Sequence, residues 1–115
     1  MNELKQLVKI QLDELIELIT PLENTPSKRD FVHQVIRASR SISNNFNEGF
    51  GTRMIGEKLK FFDYSKRSCR EVMAMMDEKW FIKWCDSQRR LRLVEVLQMI
   101  DLQLYRMIQY WRKRR

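Results

Sequence analysis

The chain has 115 residues, with 22 Lys and Arg against 15 Asp and Glu, a formal charge of +7 and an isoelectric point near 9.7. Three glycines and two prolines leave little material for turns, which favours a few long elements in one domain spanning residues 1–115. Two cysteines and one histidine exclude a disulfide framework and a histidine metal cluster, and no apolar run approaches the roughly 18 residues needed to cross a bilayer.

In the first segment Leu4, Val8, Leu12, Leu15, Ile19 and Leu22 recur at spacings of four, four, three, four and three, predicting an amphipathic helix from about Asn2 to Thr20. Pro21 weakens its end, and Leu22–Pro26 reads as a short linker. Ser27 followed by Asp30 resembles a capping box opening a second helix, whose stripe is Phe31 or Val32, Val35, Ser39, Ile42 and Phe46. That helix is expected to stop near Glu48. Gly49 and Gly51 are read as positive-φ terminators, with Phe50 folding back onto the apolar face.

A third helix starts between Thr52 and Glu57 and carries two stripes. The main one is Ile55, Leu59, Phe62, Cys69, Met73, Met76 and Trp80; the second is Phe61, Tyr64, Ser68, Val72 and Met75. A helix apolar on two faces calls for a second burial partner, so Phe61, Tyr64, Val72 and Met75 are assigned to an oligomer interface. Asp86 or Ser87 caps a fourth helix with Leu93, Leu97, Ile100, Leu104, Met107 and Trp111 on one face, ending in Arg112-Lys113-Arg114-Arg115. The fold class is therefore all-α, an up-down-up-down four-helix bundle, with Leu15, Ile42, Phe46, Phe62, Met73, Leu97 and Leu104 in its core.

Little here carries catalytic chemistry, and no enzyme activity, metal or cofactor is expected. His33, one turn from Arg37, reads as a surface or boundary residue. Cys69 falls on the core stripe, and Cys85 has no base nearby in sequence. Gly-Phe-Gly at 49–51 lacks the Lys-Ser or Lys-Thr of a phosphate loop, and Glu48 beside it reads as tied to amides of the third helix or to an arginine. The charge is uneven: residues 1–26 hold two basic and five acidic side chains, residues 27–115 hold 20 and ten. A basic body invites a polyanion; the alternative is that the cations merely solvate helix faces. Arg37 and Arg40 share a face with His33, and Lys60, Lys66, Arg67 and Arg70 lie together on the third helix. Arg89, Arg90 and Arg92 crowd the start of the fourth, where the helix dipole disfavours cations, which suggests an anion, a partner's carboxylates or offset by Asp86 and Glu95.

Ile42-Ser43-Asn44-Asn45-Phe46-Asn47-Glu48-Gly49-Phe50-Gly51 resembles the signature Ser-Ile-Pro-x-Asn-Ile-Ala-Glu-Gly-Phe-Gly of the four-helix-bundle proteins encoded in intervening sequences of 23S ribosomal RNA genes. Gln34–Ala38 upstream, and Glu57, Leu59, Phe61, Phe62, Ser65, Ser68, Glu71 and Val72 downstream, follow the same pattern. Departures are Ser43 for proline, Asn47 for alanine, Lys58 for phenylalanine and Arg67 for glycine. The resemblance implies a ring-shaped homopentamer with a basic surface. The same architecture occurs in the accessory variability protein of diversity-generating retroelements, a partner of a reverse transcriptase and its template RNA.

Together these readings lead to a cytoplasmic, non-enzymatic homo-oligomer that binds nucleic acid, RNA rather than DNA, through phosphate contacts. The residues assigned to that contact are Arg37, Arg40, Lys60, Arg67, Arg70, Arg112, Lys113, Arg114 and Arg115. The alternatives are an accessory subunit docking on a reverse transcriptase or another RNA-processing enzyme, and a structural oligomer whose charge serves solubility.

Overall fold

The computed structural model describes the backbone of residues 2–24 and 29–115 and the side chains of residues 2–22 and 30–115. Five α-helices run through them: α1 (Asn2–Ile19), α2 (Arg29–Gly51), α3 (Ile55–Met76), α4 (Lys79–Trp84) and α5 (Ser87–Arg112). A 3-10 turn over Thr20–Asn24 follows α1, and no strand occurs among the described residues. The four long helices pack in a cycle, α1 on α2, α2 on α3, α3 on α5 and α5 back on α1. The result is an elongated helical bundle of 47 × 22 × 20 Å. No helix among the described residues is long and apolar enough to cross a membrane.

Each long helix follows from its apolar periodicity. Val8, Leu12, Leu15 and Ile19 of α1 are buried, and at its exit Thr20 Oγ1 donates to Ile16 O at 2.7 Å just before Pro21 interrupts the helical hydrogen bonds. The capping box expected at Ser27 lies outside the described residues; Asp30 stands in the first turn of α2. Asp86 caps α5 as expected, its carboxylate accepting from Arg89 N at 3.1 Å.

Two boundaries differ from expectation. The second helix runs to Gly51, and neither it nor Gly49 has positive φ. Gly49 is needed for a different reason: it seats the ring of Phe62. A Cβ built on it would stand 2.5 Å from Phe62 Cε1 and 2.8 Å from Cδ1. Close approach, not dihedral freedom, is what glycine supplies here. Ser65 Oγ donating to Ile42 O (2.7 Å) and the Ser41–Ser68 hydroxyl pair (2.9 Å) lie along the same α2–α3 contact.

The third helix ends at Met76, not Trp80. Glu78 turns extended (φ −68°, ψ 137°) and the chain restarts as the short α4. Trp80 thus leaves the core stripe and packs edge-on against Phe31, with ring centroids 4.0 Å apart; Phe81 beneath it is buried. The arginines crowding the start of α5 serve this junction. Arg90 Nε donates to Met76 O (2.9 Å) while its Nη2 pairs with Asp77 (3.2 Å), and Arg89 Nη1 donates to Leu18 O (2.8 Å). Arg92 grips Glu14 with two nitrogens and reaches Glu95. Arg89 and Arg90 thus cap the carboxyl ends of neighbouring helices, whose unpaired carbonyls and negative dipole ends favour cations.

The buried line of α3 is Phe62, Ser65, Cys69, Val72 and Met76, spaced three, four, three and four. Of the seven expected core residues six are fully buried; Met73 is half-buried, and Val72 takes its place inside. Val72 therefore has no surface to lend to an oligomer interface, and Met75 also packs against the core. Phe61 is half-buried against Tyr64, which keeps 39% of its surface exposed. Cys69 Sγ donates to Leu97 O at 3.3 Å, and burial pushes its thiol up to about 12. Burial raises the Cys85 thiol as well, so neither cysteine is primed as a nucleophile.

Candidate nucleic-acid interface

Four helix ends meet at one end of the bundle: the starts of α1 and α3 and the ends of α2 and α5. The contacts that join them are specific. Lys58, in the first turn of α3, donates from Nζ to Gly49 O at 3.1 Å and sits 5.0 Å from the Trp111 ring. Lys5 of α1 lies 4.9 Å from the ring of Phe50, and Arg115 Nη2 lies 3.9 Å from where a Gly56 Cβ would stand.

Lys58 is 8% exposed and has no carboxylate partner among the described residues. Its ammonium is held by a carbonyl at the negative end of α2 and by ring faces. Burial, with the charge of Lys5 adding to it, lowers its pKa from the ordinary lysine value.

Around this buried cation stand exposed ones. Arg53 is exposed in the α2–α3 connection, and Arg112, Lys113, Arg114 and Arg115 are exposed at the end of α5. Arg114 lies 3.4 Å above the Tyr110 ring and donates to Tyr110 O at 2.9 Å, which fixes one of them. Lys60 approaches Glu57 only to 3.9 Å, and both side chains are about half exposed. Lys5, Arg53, Lys58, Lys60 and the terminal four make eight cationic side chains at this end, Lys58 among them buried, and Glu3, Glu48 and Glu57 supply carboxylates at the same helix ends. Glu48 is exposed, and among the described residues it makes no side-chain hydrogen bond or ion pair, contrary to the expected tie to α3 or an arginine. Guanidinium forks and ammonium groups gathered this way suit phosphate oxygens.

The nine residues assigned from sequence fall in three places. Lys60 and Arg112–Arg115 come together at this pole. Arg67 and Arg70 lie further along α3 with their charges occupied, Arg67 by Asp63 (3.1 Å) and Arg70 by Asp101 (3.6 Å), which Lys66 also holds at 2.8 Å. Arg37 and Arg40 sit mid-way along α2, in a separate groove with His33, Ser41, Asn44 and Asn45. Sequence reasoning missed Lys5, Arg53 and Lys58. Their signal is positional: each lies near a helix end, and helix ends converge once the helices are folded side by side.

From residue 3 to residue 106 the chain matches the family model described as 23S rRNA-intervening sequence protein. The chain belongs to that family. No curated protein and no solved structure matches it. The family motif proves to be structural: Asn45 Nδ2 donates to Ser41 O (2.9 Å), Gly49 seats Phe62, and Phe50 packs between Phe46 and Phe62 under Lys5. These residues build the floor of the basic pole. The matched span stops short of Arg112-Lys113-Arg114-Arg115, so the densest part of the pole lies outside it.

Proposed function

We propose that this protein binds nucleic acid, structured RNA in preference to DNA, through phosphate contacts at the basic pole. The observation that carries this reading is the convergence of eight cationic side chains from three separate stretches of sequence on one end of the bundle. Membership of a family described by an intervening sequence of ribosomal RNA favours RNA as the polyanion. Contacts of this kind read shape and backbone rather than base identity. The architecture that accompanies the reading is an up-down-up-down bundle assembled into a ring-shaped homopentamer, which would multiply the field of each pole. Ile10 (63% exposed), Leu91 (58%) and Tyr105 (51%) support self-association, because burial against another copy would remove them from water.

The test is an anisotropy titration with structured RNA, duplex DNA and an acidic protein at two salt concentrations. Binding to RNA should fall steeply with salt. Replacing Arg112, Lys113, Arg114 and Arg115 by serine should reduce the slope of log K against log salt by roughly 3, as about four phosphate contacts are lost. Arg67→Ser with Arg70→Ser should leave the slope nearly unchanged, because Asp63 and Asp101 already occupy those charges. Equal binding of the acidic control, or no binding to RNA at low salt, would overturn the reading.

A further inference from the structure

The outward face of α2 is basic along its middle. His33, Arg37, Arg40 and Asn44 succeed one another at spacings of four, three and four, and line a groove of about 680 Å³. Among the described residues no carboxylate lines it; Glu71 lines an adjoining groove with Arg37 and Ser41, and Asp30 and Glu48 occupy the same face beyond its two ends. Ile36 supplies an apolar wall, and Arg40 also engages its own chain.

The outward face of α1 has the opposite character. Glu3, Gln6, Ile10, Asp13 and Glu17 recur at spacings of three, four, three and four, and all are exposed. The side chain exposed in the middle of this acidic stripe is aliphatic, Ile10 at 63%, with Lys9 on the flank. Among the described α-helices α1 is the one with net negative charge, two lysines against four carboxylates, in a chain of +7. The lengths agree: residues 33–44 span roughly 17 Å of helix and residues 3–17 roughly 21 Å.

We infer that the basic groove of α2 receives the acidic, Ile10-centred face of α1 from a second copy of this chain. The inference rests on the self-association reading and deepens it, naming the two surfaces that meet. Copies carrying +7 repel one another, so a stable contact between them must place opposite charges at the seam. The α1-on-α2 pairing does so and covers Ile10 beside Ile36. The two patches differ, so the contact is head-to-tail, the kind that closes into a ring when the rotation between copies allows. It differs from the α3 surface expected from sequence, of which Val72 is buried within its own chain.

Sedimentation of the full chain and of two double variants tests this, each variant altering exposed residues only. Arg37→Glu with Asn44→Glu reverses the groove, and Ile10→Lys with Asp13→Lys reverses the helix face. Each alone should shift from the oligomer mass of the parent to monomer mass with the melting temperature kept. Mixing the two should bring unlike copies together in species heavier than a monomer, since each unlike seam again sets opposite charges face to face; a closed ring of five cannot alternate the two variants throughout. Oligomers of parental size from either variant, or a mixture that stays monomeric, would overturn the inference while leaving self-association intact. A monomeric parent chain would remove self-association itself. A groove variant that still assembles but no longer binds RNA would make the groove a nucleic-acid face and overturn the inference.

Discussion

Gly49→Ala adds one methyl group where the Phe62 ring of the next helix lies against the α2 backbone. The new carbon would meet Phe62 Cε1, Cδ1 and Cζ at 2.5, 2.8 and 2.9 Å, about an ångström inside ordinary carbon–carbon contact. Phe62 cannot simply swing away. It is fully buried, with Phe50 at 5.3 Å and Phe46 at 6.2 Å between ring centroids. Overpacking of this kind costs about 1–3 kcal/mol. Alanine returns about 0.5–1 kcal/mol of helix propensity, since Gly49 has helical geometry. The net expectation is a loss of roughly 1–2 kcal/mol, read as a lower urea midpoint at unchanged m-value. Gly51→Ala is the control. It has no atom within 4 Å of the new carbon and should gain roughly 0.5 kcal/mol or more. Trimming the ring in the double variant Gly49→Ala/Phe62→Leu should make the two changes non-additive, each relieving part of the other's cost. If Gly49→Ala stabilises as much as Gly51→Ala, the close approach of Phe62 is not what requires glycine.

Other consequences can be measured directly. The hydrogen bond from Arg92 holds the Glu14 carboxyl below its ordinary range, against the opposing effect of burial. A depressed carboxylate contributes stability that is present above its unfolded pKa, about 4.3, and is lost as pH falls through the folded value. Arg92→Met should therefore lower the urea midpoint at pH 7, by a gap that narrows as acid protonates Glu14 in the parent; a gap that stays constant as pH falls would refute the pairing. Cys69, with its thiol pushed up to about 12 and no exposed surface, should resist a disulfide reagent in the native protein even at pH 9 and react only on global unfolding. Fast native labelling at Cys69 would place it outside the core.

The sequence by itself determined the helical class, the four long helices and most of the core. Those follow from apolar residues recurring every three or four positions, as in Leu93, Leu97, Ile100, Leu104 and Met107, and from local punctuation such as Asp86 and Pro21, which act through neighbours in the chain. The family motif was equally legible, being contiguous. Tertiary structure alone decided what each side chain meets. Gly49 looked like a dihedral requirement because a following aromatic and a second glycine suit a turn; the Phe62 ring that needs its space comes from the next helix. Val72 and Met73 differ by one position on a helix with apolar residues on both, so only the packing of α5 against α3 sets which faces inward. Arg67 and Arg70 read as a free basic surface until Asp63 and Asp101 appear beside them. Arg89, Arg90 and Arg92, open from sequence between an anion, a partner's carboxylates and offset by Asp86 and Glu95, meet Leu18 O, Met76 O and Glu14 with Glu95. Lys5, Arg53 and Lys58 read as scattered charges and join Arg115 in one pole, because folding long helices side by side brings sequence-distant ends together. Charge is additive along the sequence, but the field it makes depends on distance in space, and distance is what the fold supplies.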